Sequence, residues 1–361
     1  MDGKNSNTNN ADDPYSYTQN SEYQKELVDT AKDMVNKLIH EKLDIEDSSV
    51  NFPNTFRIAD LGCSVGLNTF FAVQNIIEAI ELKFKSKQQN PQIPEFHVFF
   101  NDLTSNDFNT LFRNLPPSTS RGYFAAGVPG SFHGRLFPDV SLHFVHCSSS
   151  LHWLSRVPEE VTNRDSIAWN KGRIHYTGPE KEVREAYSVQ FRKDMEVFLT
   201  ARALELVGGG LMVLIVSGVQ DGVLPSETSI GMGFDVLGSC LEDMAKMGRV
   251  SQEKVDSFNL PFYYSSPKEL KALIETNGYF DIVKLEKMAT PMRHEIPNLQ
   301  ICTMHLRAII RGLIEEHFGD EIIEELFDRH IKKLANSTFI FSKESRKEAN
   351  FLVFLKRKVT D

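Results

Sequence analysis

Two groups of residues in this 361-residue chain have types and spacing that could do chemistry. The first is Asp60-Leu61-Gly62-Cys63-Ser64-Val65-Gly66, between a short apolar run beginning at Phe56 and an amphipathic stretch beginning at Asn68. That order places a glycine loop at the carboxyl end of a strand, where open α/β sheets hold their ligands. Glycines there let the backbone approach a ligand closely. The pattern is Gly-x-x-x-Gly, one glycine short of the Gly-x-Gly-x-x-Gly that cradles a dinucleotide pyrophosphate. A nucleoside with a short amino-acid tail suits it better. Taken alone, the loop also fits an ordinary turn before a helix. The second group is Asp102, which ends the next apolar run, Phe96–Phe100. A carboxylate at that point can accept both ribose hydroxyls; a helix-capping or loop Asp is the plainer alternative. Loop and acid together favour an adenosyl ligand.

These residues need a scaffold of alternating strands and helices. Leu27, Ala31, Met34, Val35, Leu38 and Ile39 recur at helical spacing and predict a helix over 21–43. Phe70, Val73, Ile77, Ile80 and Phe84 predict another over 68–85. Apolar runs at 56–62, 96–100, 142–147, 211–216, 280–285 and 351–356 read as strands. A helix over 181–207 is expected to stop at Gly208-Gly209-Gly210. The alternation predicts an α/β fold with a Rossmann-like, mostly parallel sheet built from right-handed βαβ units. The core covers 14–220, 276–290 and 336–361, with the N-terminal helix over the site. Segments 221–275 and 291–335 read as an interleaved helical cap, with Ile309, Ile310, Leu313 and Ile314 on one face. Met232, Phe234, Phe262, Tyr263 and Met304 fit either a pocket lining or ordinary core. Residues 1–13 are rich in Asn, Asp and Ser and read as a disordered tail.

Composition narrows the class. A hydrophobic share of 41% and a charged share of 25% are those of a globular enzyme, and 26 Phe residues imply an aromatic core. The net charge of −9 argues against a nucleic-acid partner. The polar start carries no apolar signal region, and no apolar run has the ~18 residues of a membrane span. The four cysteines, Cys63, Cys147, Cys240 and Cys302, form no Cys-x-x-Cys pair, which points to a reduced, cytoplasmic protein. Cys302 and His305 lack a second ligand pair at zinc spacing.

Longer motifs now line up. They are Tyr15-Ser16-Tyr17 with Asn20-Ser21 and Gln24; Ala59-Asp60-Leu61-Gly62-Cys63-Ser64; Asn101-Asp102-Leu103 with Asn106-Asp107-Phe108-Asn109; Gly127-Val128-Pro129-Gly130-Ser131-Phe132 with Gly134-Arg135-Leu136-Phe137-Pro138; and Leu151-His152-Trp153-Leu154-Ser155. In that order and spacing, from residue 14 onward, the chain resembles the plant SABATH methyltransferases. Those enzymes transfer a methyl group from S-adenosylmethionine (SAM) to small carboxylic acids or to xanthine ring nitrogens. The resemblance implies a class I methyltransferase fold. It also implies that Tyr17, Ser21, Gly62, Cys63, Asn68, Asp102, Leu103, Ser131 and Phe132 hold SAM. Asp60 would stand beside the methionine moiety, with Cys147 and Ser148 at the strand end approaching the cofactor. Gln24 and Trp153 would grip the substrate carboxylate, with Tyr17, Ser149 and His152 shaping its pocket. Asn170, Asp256, Phe258 and Asn259 occupy the positions of a Mg²⁺ site found in some members, where Phe offers only its carbonyl. A homodimer is a further expectation.

The chemistry follows. A sulfonium methyl is already activated, and a carboxylic acid of pKa about 4 is ionised at neutral pH, so no general base is needed. The task is to hold an acceptor oxygen roughly 3–3.5 Å from the methyl carbon, in line with the breaking bond. The Gln24 amide and the Trp153 indole are neutral donors that orient the anion. Ser149 stands where many family members carry an aromatic residue or Asn, and His152 where some salicylate enzymes carry Met. Both departures speak against a salicylate-like fit. Rival readings are an N-methyltransferase of a xanthine-like ring, a nicotinamide oxidoreductase, disfavoured by the missing glycine, and a silent small-molecule binding protein.

Overall fold

A computed structural model describes residues 21–45, 54–87, 92–289, 298–338, 342 and 347–359. The expected tail 1–13 and Tyr17 lie outside the described residues. Seven strands form one sheet in the order β3-β2-β1-β4-β5-β7-β6. They are β1 (Thr55–Leu61), β2 (Glu95–Asp102), β3 (Tyr123–Pro129), β4 (Leu142–Ser148), β5 (Leu206–Val219), β6 (Phe280–Lys287) and β7 (Glu348–Arg357). The first five in that order pair in parallel, and β7 runs antiparallel between β5 and β6. This is the Rossmann-like, mostly parallel sheet that the alternation predicts. Strand order reverses between β1 and β4, so the crevice at their carboxyl ends is the natural ligand site.

Helices cover both faces. On one lie α1 (Glu22–Lys42) and α2 (Leu67–Lys87), whose Leu27, Ile39, Val73 and Ile80 pack with Ile58, Val98, Phe144 and Val213. On the other lies α5 (Lys181–Glu205), whose Tyr187, Phe191 and Phe198 join Val145, Leu214 and Val353. The alternation of faces along each strand divides these two clusters. α3 (Phe108–Arg113) follows β2, and α4 (Glu159–Thr162) precedes α5. A third cluster gathers α6 (Ser229–Lys246), α7 (Gln252–Ser257), α9 (Leu299–Phe318) and α10 (Ile323–Ala335) around Phe234, Leu241, Ile310 and Leu326. α8 (Pro267–Asn277) packs on α5 and β6, with Leu270 and Ile274 in the second cluster. Among the described residues, no helix is long and apolar enough to cross a membrane.

Two local expectations need correction. Gly208–Gly210 does not stop a helix: α5 ends at Glu205 and the glycines lie inside β5. Gly209 sits at φ +77°, and the pairing of β4 with β5 shifts register between Leu142 and Phe144, so the run accommodates a bulge. The strand β3 has no counterpart among the expected strands. Gly127 and Pro129 disguise it, yet an edge strand tolerates a proline, whose missing N–H has no neighbour to serve.

Candidate active site

The glycine loop leaves β1 at the carboxyl edge of the sheet. The N–H groups of Gly62 and Cys63 both donate to the Asn101 carbonyl at 2.9 Å, tying the loop to the end of β2. Gly62 has φ +78°, and a Cβ there would lie 2.2 Å from Ser150 Oγ and 2.7 Å from Ser150 Cβ, so only glycine fits. Asn101 is fully buried and donates to the carbonyls of Val128 (2.7 Å) and Gly130 (2.9 Å), fastening β3 and its loop to the same edge.

Asp102 stands where the sequence places it. Its Oδ2 accepts from the Ser64 N–H at 2.7 Å and its Oδ1 from the Leu103 N–H at 2.8 Å. Each oxygen retains a lone-pair site for a further donor. Burial pushes its pKa above the ordinary 3.8, a pull opposed by those two N–H groups. Leu103 is 53% exposed, an apolar platform beside the acid. Phe132 lies against the glycine loop: its ring would lie 3.8 Å from a Cβ on Gly62. Ser131 is exposed on the same loop, and its Oγ accepts from the His133 N–H at 3.3 Å.

The loop carrying Phe132 rests on a pair not anticipated from sequence. Arg202 and Glu205, in the last turn of α5, are fully buried and bonded at 2.7 Å. Arg202 donates to the carbonyls of Phe132 (2.8 Å) and Gly134 (2.9 Å). Glu205 accepts from the N–H groups of Leu136 (2.6 Å) and Phe137 (3.0 Å). The ion pair therefore spends its hydrogen bonds on loop backbone, which compensates its desolvation.

Asp60 lies beneath the glycine loop, 3% exposed. Its Oδ2 accepts from the Thr69 hydroxyl, and its Oδ1 lies 2.6 Å from His146 Nδ1. His146, inward-facing on β4, was not singled out from sequence; its alternation was legible but its partner was not. Cys63 and Cys147 are buried, and burial raises both thiol pKa values, so neither is a nucleophile at neutral pH. Ser64 at φ +51° and Ser149 at φ +53° are non-glycine residues in the left-handed region. Each costs about 1–2 kcal/mol, strain of the kind found at ligand edges.

α1 brings Ser21 and Gln24 to the same edge. Asn68, in the first turn of α2, donates to the Ser21 carbonyl (3.0 Å) and hydroxyl (3.1 Å). Gln24 Oε1 is buried without a described partner, as are Ser149 Oγ and His152 Nδ1. Beyond β4, Ser148, Ser149, His152 and Trp153 follow in order. The Tyr263 N–H donates to the His152 carbonyl and the Leu154 N–H to the Pro261 carbonyl, both at 2.8 Å. These bonds stitch the segment to residues 261–264. Trp153 meets Phe262 edge-on at 4.3 Å, and His152 stacks on Tyr264 at 5.5 Å and 12°. Phe234 and Phe262 are buried in the third cluster. Tyr264 was missed from sequence: nothing marks one tyrosine of Tyr263-Tyr264 over the other. Burial alone lowers the His152 pKa to about 4.

The four positions of the expected Mg²⁺ site lie together but make a poor cage. Asn170 donates to Asn259 Oδ1 at 2.7 Å, and the Tyr187 hydroxyl lies 3.4 Å from the same oxygen. Asn259 Nδ2, a donor, is buried without a partner, and Asp256 Oδ1 accepts from Gln252 at 3.0 Å. One carboxylate and an amide oxygen already engaged do not fit a hard dication. Among the described residues no three His, Cys, Asp or Glu side chains converge as metal ligands.

The loop and Asp102 fit an adenosyl group: a glycine cradle, an acid with unused acceptor sites and apolar surfaces at Leu103 and Phe132. Comparisons with known proteins agree. Residues 4–358 match the family model described as SAM dependent carboxyl methyltransferase. Loganic acid O-methyltransferase of Catharanthus roseus is 49% identical, over 96% of this chain and 93% of that protein. Paraxanthine methyltransferase 2 of Arabidopsis thaliana is 42% identical, over 87% and 88%. A solved structure, loganic acid methyltransferase with S-adenosylhomocysteine (SAH), superposes with a TM-score of 0.93 at 48% identity, over 98% of this chain and 99% of that one. The chain belongs to the SABATH family of SAM-dependent carboxyl methyltransferases.

Proposed function

We propose that this enzyme makes the methyl ester of a small carboxylic acid, with the acid held by Gln24 and Trp153. When bound, SAM supplies a sulfonium-activated methyl group. Asp102 and Leu103 hold its adenosine, Ser131 and Phe132 close over the base, and Cys63, Asn68, Cys147 and Ser148 line its path to the acceptor. The Gln24 amide and Trp153 indole N–H groups donate to the acceptor carboxylate. Ser149 and His152 shape the pocket, Tyr17 completes it, and the helices of 221–275 and 291–335 cap it.

The observation that carries this reading is the state of the histidines at Trp153 among the described residues: burial lowers the pKa of both His152, its neighbour in sequence, and His133, which bonds to its backbone. His152, at a pKa of about 4, is neutral and weakly basic at physiological pH, and burial pushes the Tyr264 phenol up. An ionised acid acceptor has no proton to lose. A xanthine ring N–H must lose one, and the residues beside Trp153 are poorly suited to take it. The relative named a paraxanthine methyltransferase makes paraxanthine the proper control acceptor. No step runs through Mg²⁺, and the cytoplasmic, homodimeric state stands as part of the same proposal.

The test is kinetic. A hydrogen bond to a charged group contributes about 1.5–3 kcal/mol, roughly ten- to hundredfold in rate or affinity. Gln24→Ala and Trp153→Phe should each cost that much in kcat/KM for the acid while leaving the Kd for SAH within about twofold. Unchanged turnover in both variants removes the pair from the acceptor site.

A further inference from the structure

The first turn of α1 carries Gln24 but does not hold itself. Its N-cap, Ser21, makes no side-chain capping bond, so no side chain of the helix's own cap fixes the turn. Two tertiary anchors take over. One is Asn68 of α2, already described at Ser21. The other is on the far side of the turn, where Asn350 of β7 donates from Nδ2 to the Tyr23 hydroxyl at 2.6 Å. Asn350 is 4% exposed, and its Oδ1 accepts from the Ser217 hydroxyl at 3.0 Å. Ser217 is its cross-strand partner on β5. The amide is thus gripped at both ends, which fixes its orientation and aims the donor at Tyr23. The Asn350 carbonyl is engaged as well, accepting from the Met288 N–H at 2.8 Å. Its side chain spends both its polar ends on this link.

Tyr23 is the residue before Gln24, and it lies close enough to Tyr264 for the two phenols to interact electrostatically. Tyr264 in turn stacks on His152. The linkage therefore runs from the rigid interior of the sheet, β5 and β7, to the acceptor side of the pocket. We propose that Ser217 and Asn350 are positioning residues for methyl transfer: through the Tyr23 hydroxyl they set the α1 first turn and so the orientation of the Gln24 amide. This rests on the reading that Gln24 holds the acceptor carboxylate. The reacting atoms must stay aligned, and a displacement of about 1 Å can cost up to a hundredfold in rate. A bond that fixes only the helix start would therefore register in kcat before it registers in stability.

The test is a double-mutant cycle on the full chain, with labelled SAM and the acid that the enzyme esterifies fastest. Tyr23→Phe removes only the hydroxyl, and Ser217→Ala leaves Tyr23 intact while freeing the Asn350 amide to turn. Melting temperature and SAH affinity are read alongside. Either variant should lower kcat about tenfold or more, with SAH affinity and melting temperature little changed. Adding Tyr23→Phe to Gln24→Ala should then cost nothing further, because the two act through one group. Multiplicative losses, or full activity in both Tyr23→Phe and Ser217→Ala while Gln24→Ala is impaired, overturn the positioning role alone. A silent Gln24→Ala instead overturns the assignment of Gln24 to the carboxylate, and the inference with it.

Discussion

Asp102→Asn separates a ribose reader from a capping residue better than any other single change. The two side chains have nearly the same shape, but the carboxylate already serves the loop. Its oxygens accept from the Ser64 and Leu103 N–H groups at 2.7 and 2.8 Å. Asn offers one acceptor oxygen, so in either amide orientation one of those N–H groups faces an NH₂. Losing one charge-assisted bond costs about 1.5–3 kcal/mol. Ser64 also sits in the left-handed region at φ +51°, and the bond to Asp102 helps to keep it there. The adenosyl group loses a charged acceptor at the same time. SAH affinity should fall at least about tenfold and up to roughly a hundredfold. The same bond is lost in the free enzyme, so the melting temperature without ligand should also fall, by roughly a few degrees. Isothermal titration with SAH measures the first and thermal denaturation the second. The pH dependence adds a signature. Burial raises the Asp102 pKa, so the carboxylate gains its proton, and the site loses its acceptor, at a higher pH than an exposed Asp would. Wild-type affinity should drop on that acid limb, and the Asn variant should lack it. Asp102→Asn binding SAH within about twofold of wild type would refute the reasoning.

Three further outcomes follow from the geometry. Gly62→Ala places a Cβ against Ser150 at 2.2 Å in a left-handed conformation, so it should lower both melting temperature and SAH affinity. Adding Ser150→Gly should recover part of the loss, and no recovery would mean that the clash is not the cause. Burial lowers His143, His152 and His330 to a pKa of about 4 and lowers His175 further, against an ordinary 6.5. The unfolded chain then binds more protons than the folded one below pH 6.5, so stability falls as pH drops from there towards 4. Burial lowers His97 and His133 as well and adds to the trend, while Asp102 and Glu269, raised by burial, oppose it. Urea midpoints across that range test the sum, and a midpoint flat from pH 6.5 to 4 contradicts it. Treatment with a strong chelator should leave turnover unchanged, since Asn170, Asp256, Phe258 and Asn259 include one carboxylate and an Asn259 oxygen already bonded to Asn170. Lost activity restored by Mg²⁺ would show the donor set misjudged.

Much of the frame was legible in the sequence because periodicity reports burial. The apolar runs of β1, β2, β4, β6 and β7 and the stripes of α1 and α2 declared themselves. β3 and the start of β5 did not, because Gly127, Pro129 and Gly208–Gly210 are punctuation by local propensity. Edge position and a bulge override that propensity, and neither is local. The candidate site was legible where motif and strand end coincide, at Gly62 and Asp102. Its supports were not. Arg202 and Glu205 meet residues 132–137 across more than sixty positions, and Asn350 meets Tyr23 across 327. His146 finds Asp60 across 86. Such pairings follow from sheet order rather than from any run of residues. The positive φ of Ser64 and Ser149 is equally invisible, since serine carries no mark of it.

The central claim is that the acceptor is a carboxylate needing no base. Methyl transfer from labelled SAM to loganic, farnesoic and jasmonic acids, with paraxanthine alongside, tests it in one measurement when each product is then exposed to mild alkali. The account predicts label entering at least one acid, released by alkali as expected of an ester, with a rate that does not vary with pH once the acid is ionised. Label confined to paraxanthine, in an alkali-stable product, would contradict it.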